Sequence, residues 1–171
     1  MAYFLKVLYN NIVIGMYSNE LICKILNYVD NNINKKITIE ELSLRFYYNR
    51  FYIMKLFKKE IGISMFDYIN NLRIYNSINS INNSDKLLIR IAIDNGFYSL
   101  EYFSEMFKKI IGVSPSVYKK FYYNRYSPSK ENYKLITDNI IKLNIFINKV
   151  NKYKQNIKPI TPPVRKLSIF N

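Results

Sequence analysis

Histidine is absent from the 171 residues. That removes imidazole acid–base chemistry and every histidine-containing zinc site. The single cysteine, Cys23, leaves no internal disulfide. It stands among Leu21, Ile22, Ile25 and Leu26 at helical spacing, where a buried small hydrophobe outweighs a nucleophile. One unpaired thiol fits a reducing cytoplasm. No apolar run reaches the length of a membrane span, so no membrane-spanning helix is expected. The first seventeen residues are apolar-rich but carry only Lys6 as a charge, and no small-residue cleavage site follows, which argues against a signal peptide. There is no phosphate loop, no metal-ligand cluster and no Cys–His pair, and the carboxylates are scattered. Neither an enzyme nor a cofactor is expected. Acidic residues are also scarce: 12 against 26 lysines and arginines, a net charge of +14. A polyanion, nucleic acid or an anionic membrane, is the natural partner.

What the chain does contain is a repetition. FKKEIGISMFDY, from Phe57 to Tyr68, returns as FKKIIGVSPSVY, from Phe107 to Tyr118. Tyr52, Phe57, Lys58, Lys59, Ile61, Gly62, Ser64 and Tyr68 fall on Tyr102, Phe107, Lys108, Lys109, Ile111, Gly112, Ser114 and Tyr118. Two copies are too few for a solenoid. They describe a small duplicated unit that does one job at two places.

The spacing around each copy is helical. Leu21, Ile22, Ile25, Leu26 and Val29 predict a helix opened by Ser18. Thr38-Ile-Glu-Glu41 reads as a capping box in which Glu41 reaches back to the Thr38 amide, before a short helix to about Phe46. Tyr47-Tyr48-Asn49 predicts a tight turn, and Asn49 caps a helix that Gly62 ends. A longer helix is expected over Met65 to Ile81. The pattern then restarts at about Lys86, closes at Gly96, reopens at Ser99 and closes at Gly112, with Ser114-Pro115 a cap followed by proline at the first helical position. Each copy is thus helix, tight turn, helix, the arrangement whose second helix enters the major groove. The turns differ by one residue: Ser43 pairs with Ala92 at an offset of 49, and the second helices pair at 50. YFLKVLY and IVIGMY, flanking Asn10-Asn11, read as a hairpin within residues 1–17. The expected organisation is that segment, a first helix-turn-helix subdomain over 18–63, a linker helix over 64–82, a second subdomain over 83–123, and a basic extension over 124–171.

These residues resemble the AraC/XylS family of bacterial transcription regulators. The second copy carries Ile91-Ala92, Gly96-Phe97, Tyr102-Phe103, Phe107-Lys108-Lys109, Gly112 and Ser114-Pro115-Ser116-Val117-Tyr118. The first carries Ile39-Glu40-Glu41-Leu42, Leu56-Phe57-Lys58-Lys59, Gly62, Tyr68-Ile69 and Leu72-Arg73. The resemblance covers roughly residues 20–123. It implies an all-α fold of seven helices, with two helix-turn-helix units joined by a long linker helix and an extra C-terminal helix or basic tail beyond. It also implies double-stranded DNA as partner, contact with RNA polymerase, activation, and residence in the cytoplasm at the nucleoid. With only some twenty residues before the DNA-binding region, the chain is similar to the short MarA- and SoxS-like members, which lack a sensor domain and act as monomers.

On the first recognition helix, Ile53, Leu56, Phe57 and Ile61 make the buried stripe, leaving Arg50, Phe51, Met54, Lys55 and Lys58 opposite. Phe51, Met54, Lys55 and Lys58 lie at i, i+3, i+4 and i+7 and share a face. The first three match base-contacting positions of the MarA-like relatives. Apolar Phe51 and Met54 suit thymine methyls, and Lys55 suits a guanine O6/N7 edge. The alternative for Phe51 is packing on the turn. The second helix presents Leu100, Glu101, Ser104, Glu105 and Lys108. Its carboxylates either accept from cytosine N4 or merely weaken contact with the phosphates. Lys58, Lys59, Lys108, Lys109 and Arg73 suit phosphate anchoring. Recognition helices about 34 Å apart on a rigid linker imply some bending of the DNA.

Beyond the family-like region the charge is concentrated: residues 124–171 hold 10 basic and 2 acidic residues, residues 40–123 hold 12 and 8. Tyr133, Ile136, Ile140, Leu143, Ile147 and Val150 form an a/d seam on a helix opened by Ser127-Pro128. It predicts either a dimer through residues 133–150 or a helix packed back on the domain, with a strand over Leu143 to Ile147 as a further option. Pro159, Pro162 and Pro163 exclude regular structure after Lys158. The competing functional reading is a partner-binding interaction module that has lost DNA reading in its second repeat.

Overall fold

Serine, threonine and asparagine caps set most of the helix starts, and residues in the left-handed region set several of the stops. In a computed structural model of the protein, residues 19–123 and 128–156 are described. They form eight helices: α1 (19–32), α2 (Ile39–Phe46), α3 (Arg50–Ile61), α4 (Met65–Asn82), α5 (Leu88–Asp94), α6 (Leu100–Ile111), α7 (Pro115–Tyr122) and α8 (Lys130–Asn156). No strand occurs among the described residues. The expected hairpin, the expected caps Ser18 and Ser127, and the proline-bearing end lie outside the described residues.

The Thr38, Asn49, Ser64, Ser99 and Ser114 side chains each accept from an amide in the first turn of the following helix. This satisfies donors that have no partner inside the helix. The box at α2 forms only half as expected. Glu41 donates its amide to Thr38, but its carboxylate accepts from the Tyr28 hydroxyl of α1. A tertiary partner has displaced the local one. α5 starts at Leu88 rather than at about Lys86, after Leu87, whose backbone is extended and which has no side-chain cap to offer.

Two apolar cores result. α1, α2, α3 and the first half of α4 enclose Ile22, Ile25, Leu26, Leu42, Ile53 and Phe57. The second half of α4, with α5, α6 and α7, encloses Ile74, Ile81, Ile91, Phe103, Phe107 and Tyr118. α4 is therefore shared between them rather than a free-standing connector. The repeated residues recur for a core reason: Phe57 meets Tyr68 with ring centroids 5.6 Å apart, and Phe107 meets Tyr118 at 5.5 Å. The same aromatic pair closes each unit.

α8 packs back on the domain. Ile136, Leu143 and Ile147 are buried in the second core, Val150 in the first, and Phe146 packs against both. The Asn139 amide donates to the Ile111 carbonyl at 3.1 Å, and Lys154 pairs with Asp30 of α1 at 2.5 Å. Four of the six seam residues, Ile136, Leu143, Ile147 and Val150, are thus packed into the chain's own cores, as expected for a helix folded back on the domain, while Tyr133 stays 53% exposed. Leu143 to Ile147 is helix, not strand. The helix is capped by Ser129, whose hydroxyl accepts from the Asn132 amide.

The units also touch directly. The Arg73 Nε donates to the Ile33 carbonyl at 3.0 Å and Nη2 to the Lys35 carbonyl at 2.7 Å, while the guanidinium lies 5.8 Å from the Phe97 ring centre. An arginine in the middle of α4 thus joins the α1–α2 loop to the turn between α5 and α6.

Candidate nucleic-acid interface

The geometry of α3 follows from its buried side. Ile53, Leu56, Phe57 and Ile61 pin the helix into the first core, and Asn49 fixes its start by accepting from the Phe51 amide at 2.8 Å. At 3.6 residues per turn this turns Phe51, Met54, Lys55 and Lys58 outward together. All four are exposed. Phe51 is 63% exposed and lies beneath the Arg50 guanidinium at 4.9 Å, so it does not pack on the turn. Arg50 also approaches Glu40 at 3.8 Å. An exposed phenylalanine and methionine between cations form a face that hydrates poorly and suits base edges bearing methyl groups.

α6 is held the same way by Phe103, Met106, Phe107 and Ile111, yet its outward face differs from expectation. Leu100 and Ser104 are half-buried, and Leu100 packs on the second core. Leu100 therefore has less to offer a base than its place in the sequence suggests. Glu101 is exposed, but its carboxylate turns back on the helix end. It accepts from its own backbone amide and from the Ser99 hydroxyl, which hold it below the usual carboxylate range. Glu105 is the carboxylate left on the outward face, and it is exposed.

Among the expected phosphate anchors, Lys58, Lys59, Lys108 and Lys109 are exposed at the ends of α3 and α6. Arg73 commits two donors to carbonyls and so clamps the units together, which leaves it less free than the lysines. This role left no local signal, since Arg73 and its partners are some 40 positions apart. Cys23 is half-buried, and burial pushes its thiol up, with Lys154 opposing. No cluster of metal-ligating side chains occurs among the described residues, and no described helix is long and apolar enough to cross a membrane.

A family model described as a helix-turn-helix domain matches residues 42–120. This region is an AraC-type helix-turn-helix DNA-binding domain. The AraC-type domain is one of DNA-binding transcription regulators, not of enzymes. Over 118 residues the chain is 28% identical to YbfP of Bacillus subtilis, named an HTH-type transcriptional regulator, spanning 69% of this chain and 40% of YbfP. Over 103 residues it is 24% identical to AarP of Providencia stuartii, named an HTH-type transcriptional activator, spanning 60% of this chain and 76% of AarP. The DNA-binding domain of AdpA, solved in complex with a target DNA, shares the fold with a TM-score of 0.58 at 20% identity. That match covers 61% of this chain and 94% of the AdpA domain. The chain thus spans less than half of YbfP and about three quarters of AarP. The AraC-type match stops short of α1 and α8, which supply side chains to the same cores.

Proposed function

We propose that the protein is a sequence-specific transcription regulator that places α3 and α6 in successive major grooves on one face of the duplex. The observation that carries this is the exposed α3 face of Phe51, Met54, Lys55 and Lys58, held by four buried residues on the opposite side. Met54 and Phe51 read thymine methyls and Lys55 reads a guanine edge. Lys58, Lys59, Lys108 and Lys109 anchor phosphates. The protein acts as a monomer: four of the six seam residues that could pair two copies are buried in the chain's own cores. Activation through contact with RNA polymerase is supported by the family resemblance and by AarP's name.

The first repeat carries most of the discrimination. Met54→Ala with Lys55→Ala costs about 2 kcal/mol at the specific site and relaxes preference within one half-site. Glu105→Ala leaves discrimination nearly intact and tightens binding overall, since it removes repulsion from the phosphates. Competition binding against libraries randomised separately in each half-site measures both. Loss of a cytosine preference in the second half-site on Glu105→Ala would show that this carboxylate reads a base, and would reverse the ranking of the helices.

Backbone anchoring makes a separate prediction. Binding weakens steeply with salt, and Lys58→Ala or Lys108→Ala lowers affinity for all sequences alike while reducing the magnitude of the log–log salt slope by about 0.9. An unchanged slope in both variants rules out the phosphate role.

A further inference from the structure

We infer that Tyr47 is a DNA-backbone contact, retained in a backbone conformation that a glycine would occupy more easily; the inference rests on the DNA-binding reading above. Tyr47 closes α2 with φ 60° and ψ 35°, and it is the one non-glycine residue at positive φ among those described. A bulky L-residue in that region is an outlier, because its Cβ crowds the following carbonyl. Such strain persists where something other than local preference holds it, and it gathers at functional sites.

The protein shows what folding alone selects at this place. At the offset of 49 that pairs Ser43 with Ala92, Tyr47 falls on Gly96, which holds φ 82°. There glycine is also required by space, since a Cβ would lie 2.5 Å from the Ile33 carbonyl oxygen. At Tyr47 there is room for a side chain, but the fold gains little from it. The residue is 93% exposed. The neighbouring Tyr48 stacks on Tyr52 at 5.5 Å, as Tyr98 stacks on Tyr102 at 4.8 Å in the second repeat. Tyr47 belongs to neither stack. The stacked pairs are thus common to both turns, while the strained, projecting tyrosine belongs to the first alone.

Its position supplies the ligand. The turn leads into the N-terminal end of α3, where Arg50 and Phe51 stand and where a recognition helix meets base edges. Chain immediately before such a helix runs beside the strand that borders the groove, and tyrosine hydroxyls are among the donors to its phosphates. The phenol is neutral. Its contact adds affinity without releasing a counterion, so it leaves the salt slope as it is.

Two variants test this. Tyr47→Gly removes both strain and ring: its thermal midpoint rises by about 2–4 °C, while DNA affinity falls about tenfold, equally on specific and random duplexes and with an unchanged salt slope. Tyr47→Phe keeps the strain and loses only the hydroxyl, so its midpoint stays put and its affinity falls as in Tyr47→Gly. Wild-type affinity in either variant, or a flattened salt slope, overturns the assignment while the DNA-binding reading stands. A wild-type protein that binds no duplex overturns both.

Discussion

Truncation after Ser129, which removes α8, abolishes the folded state rather than merely lowering charge. α8 contributes Ile136, Leu143, Ile147 and Val150 at 0%, 5%, 4% and 4% exposure. Burying an aliphatic side chain of this size is worth about 2 kcal/mol, so the four together approach about 8 kcal/mol. That is comparable to the whole stability of a domain, about 5–15 kcal/mol. The truncated chain also leaves Tyr68 without Phe146, which meets it edge to face, and Asp30 without Lys154. The expected result is a loss of cooperative urea unfolding and of near-ultraviolet circular dichroism. Ile147→Ala gives a graded version, destabilising by about 3 kcal/mol. Replacing the exposed Lys134, Lys142, Lys149 and Lys152 with glutamine leaves the fold intact and isolates the electrostatic part. A truncated protein with the wild-type urea midpoint would show that α8 lies outside the cooperative unit.

The contrast between α8 and the repeats shows which physics is visible in one dimension. The repeats announce themselves because caps act within three or four residues: Thr38, Asn49, Ser99 and Ser114 sit where their hydrogen bonds are made. The α3 face is legible for the same reason, since Ile53, Leu56, Phe57 and Ile61 leave the other side no choice. The apolar spacing of α8 is equally visible, but spacing identifies a stripe and not its partner. Whether Ile147 meets another copy or the chain's own core depends on folding in three dimensions. Side chains with long-range partners are legible least. Glu41 looks like a capping residue and binds Tyr28 instead. Arg73 looks like a phosphate anchor and clamps carbonyls some 40 positions away. Glu101 is drawn inward for the opposite reason: its competitor is its own helix end, too close to leave a periodic trace.

The second repeat's turn is where the two units are locked, and Gly96→Ala is expected to break that lock. The residue sits at φ 82°, so any side chain is strained there at about 1–2 kcal/mol. The added Cβ would also lie 2.5 Å from the Ile33 carbonyl oxygen, 3.0 Å from the Asn34 Cα and 2.9 Å from the Arg73 Nε. Two of those three atoms are backbone, which yields only if the whole α1–α2 loop moves. The Ile33 oxygen is also the acceptor for Arg73, so a displaced loop loses that hydrogen bond at the same time. Strain, steric overlap and the lost bond together make a cost of about 3 kcal/mol or more. Gly62→Ala is the matched control. It carries the same kind of φ, 91°, but has nothing within 4 Å of the added Cβ, so it costs only the conformational part, about 1 kcal/mol. Urea midpoints of the two variants separate the effects. Because the loop belongs to the first unit and the turn to the second, Gly96→Ala also loosens the spacing between α3 and α6. It therefore reduces discrimination between a cognate duplex and one carrying an extra base pair between the half-sites, which Gly62→Ala does not. Equal destabilisation by the two alanines would mean that the Ile33 contact is soft and that Arg73, rather than the close approach at Gly96, sets the geometry of the pair.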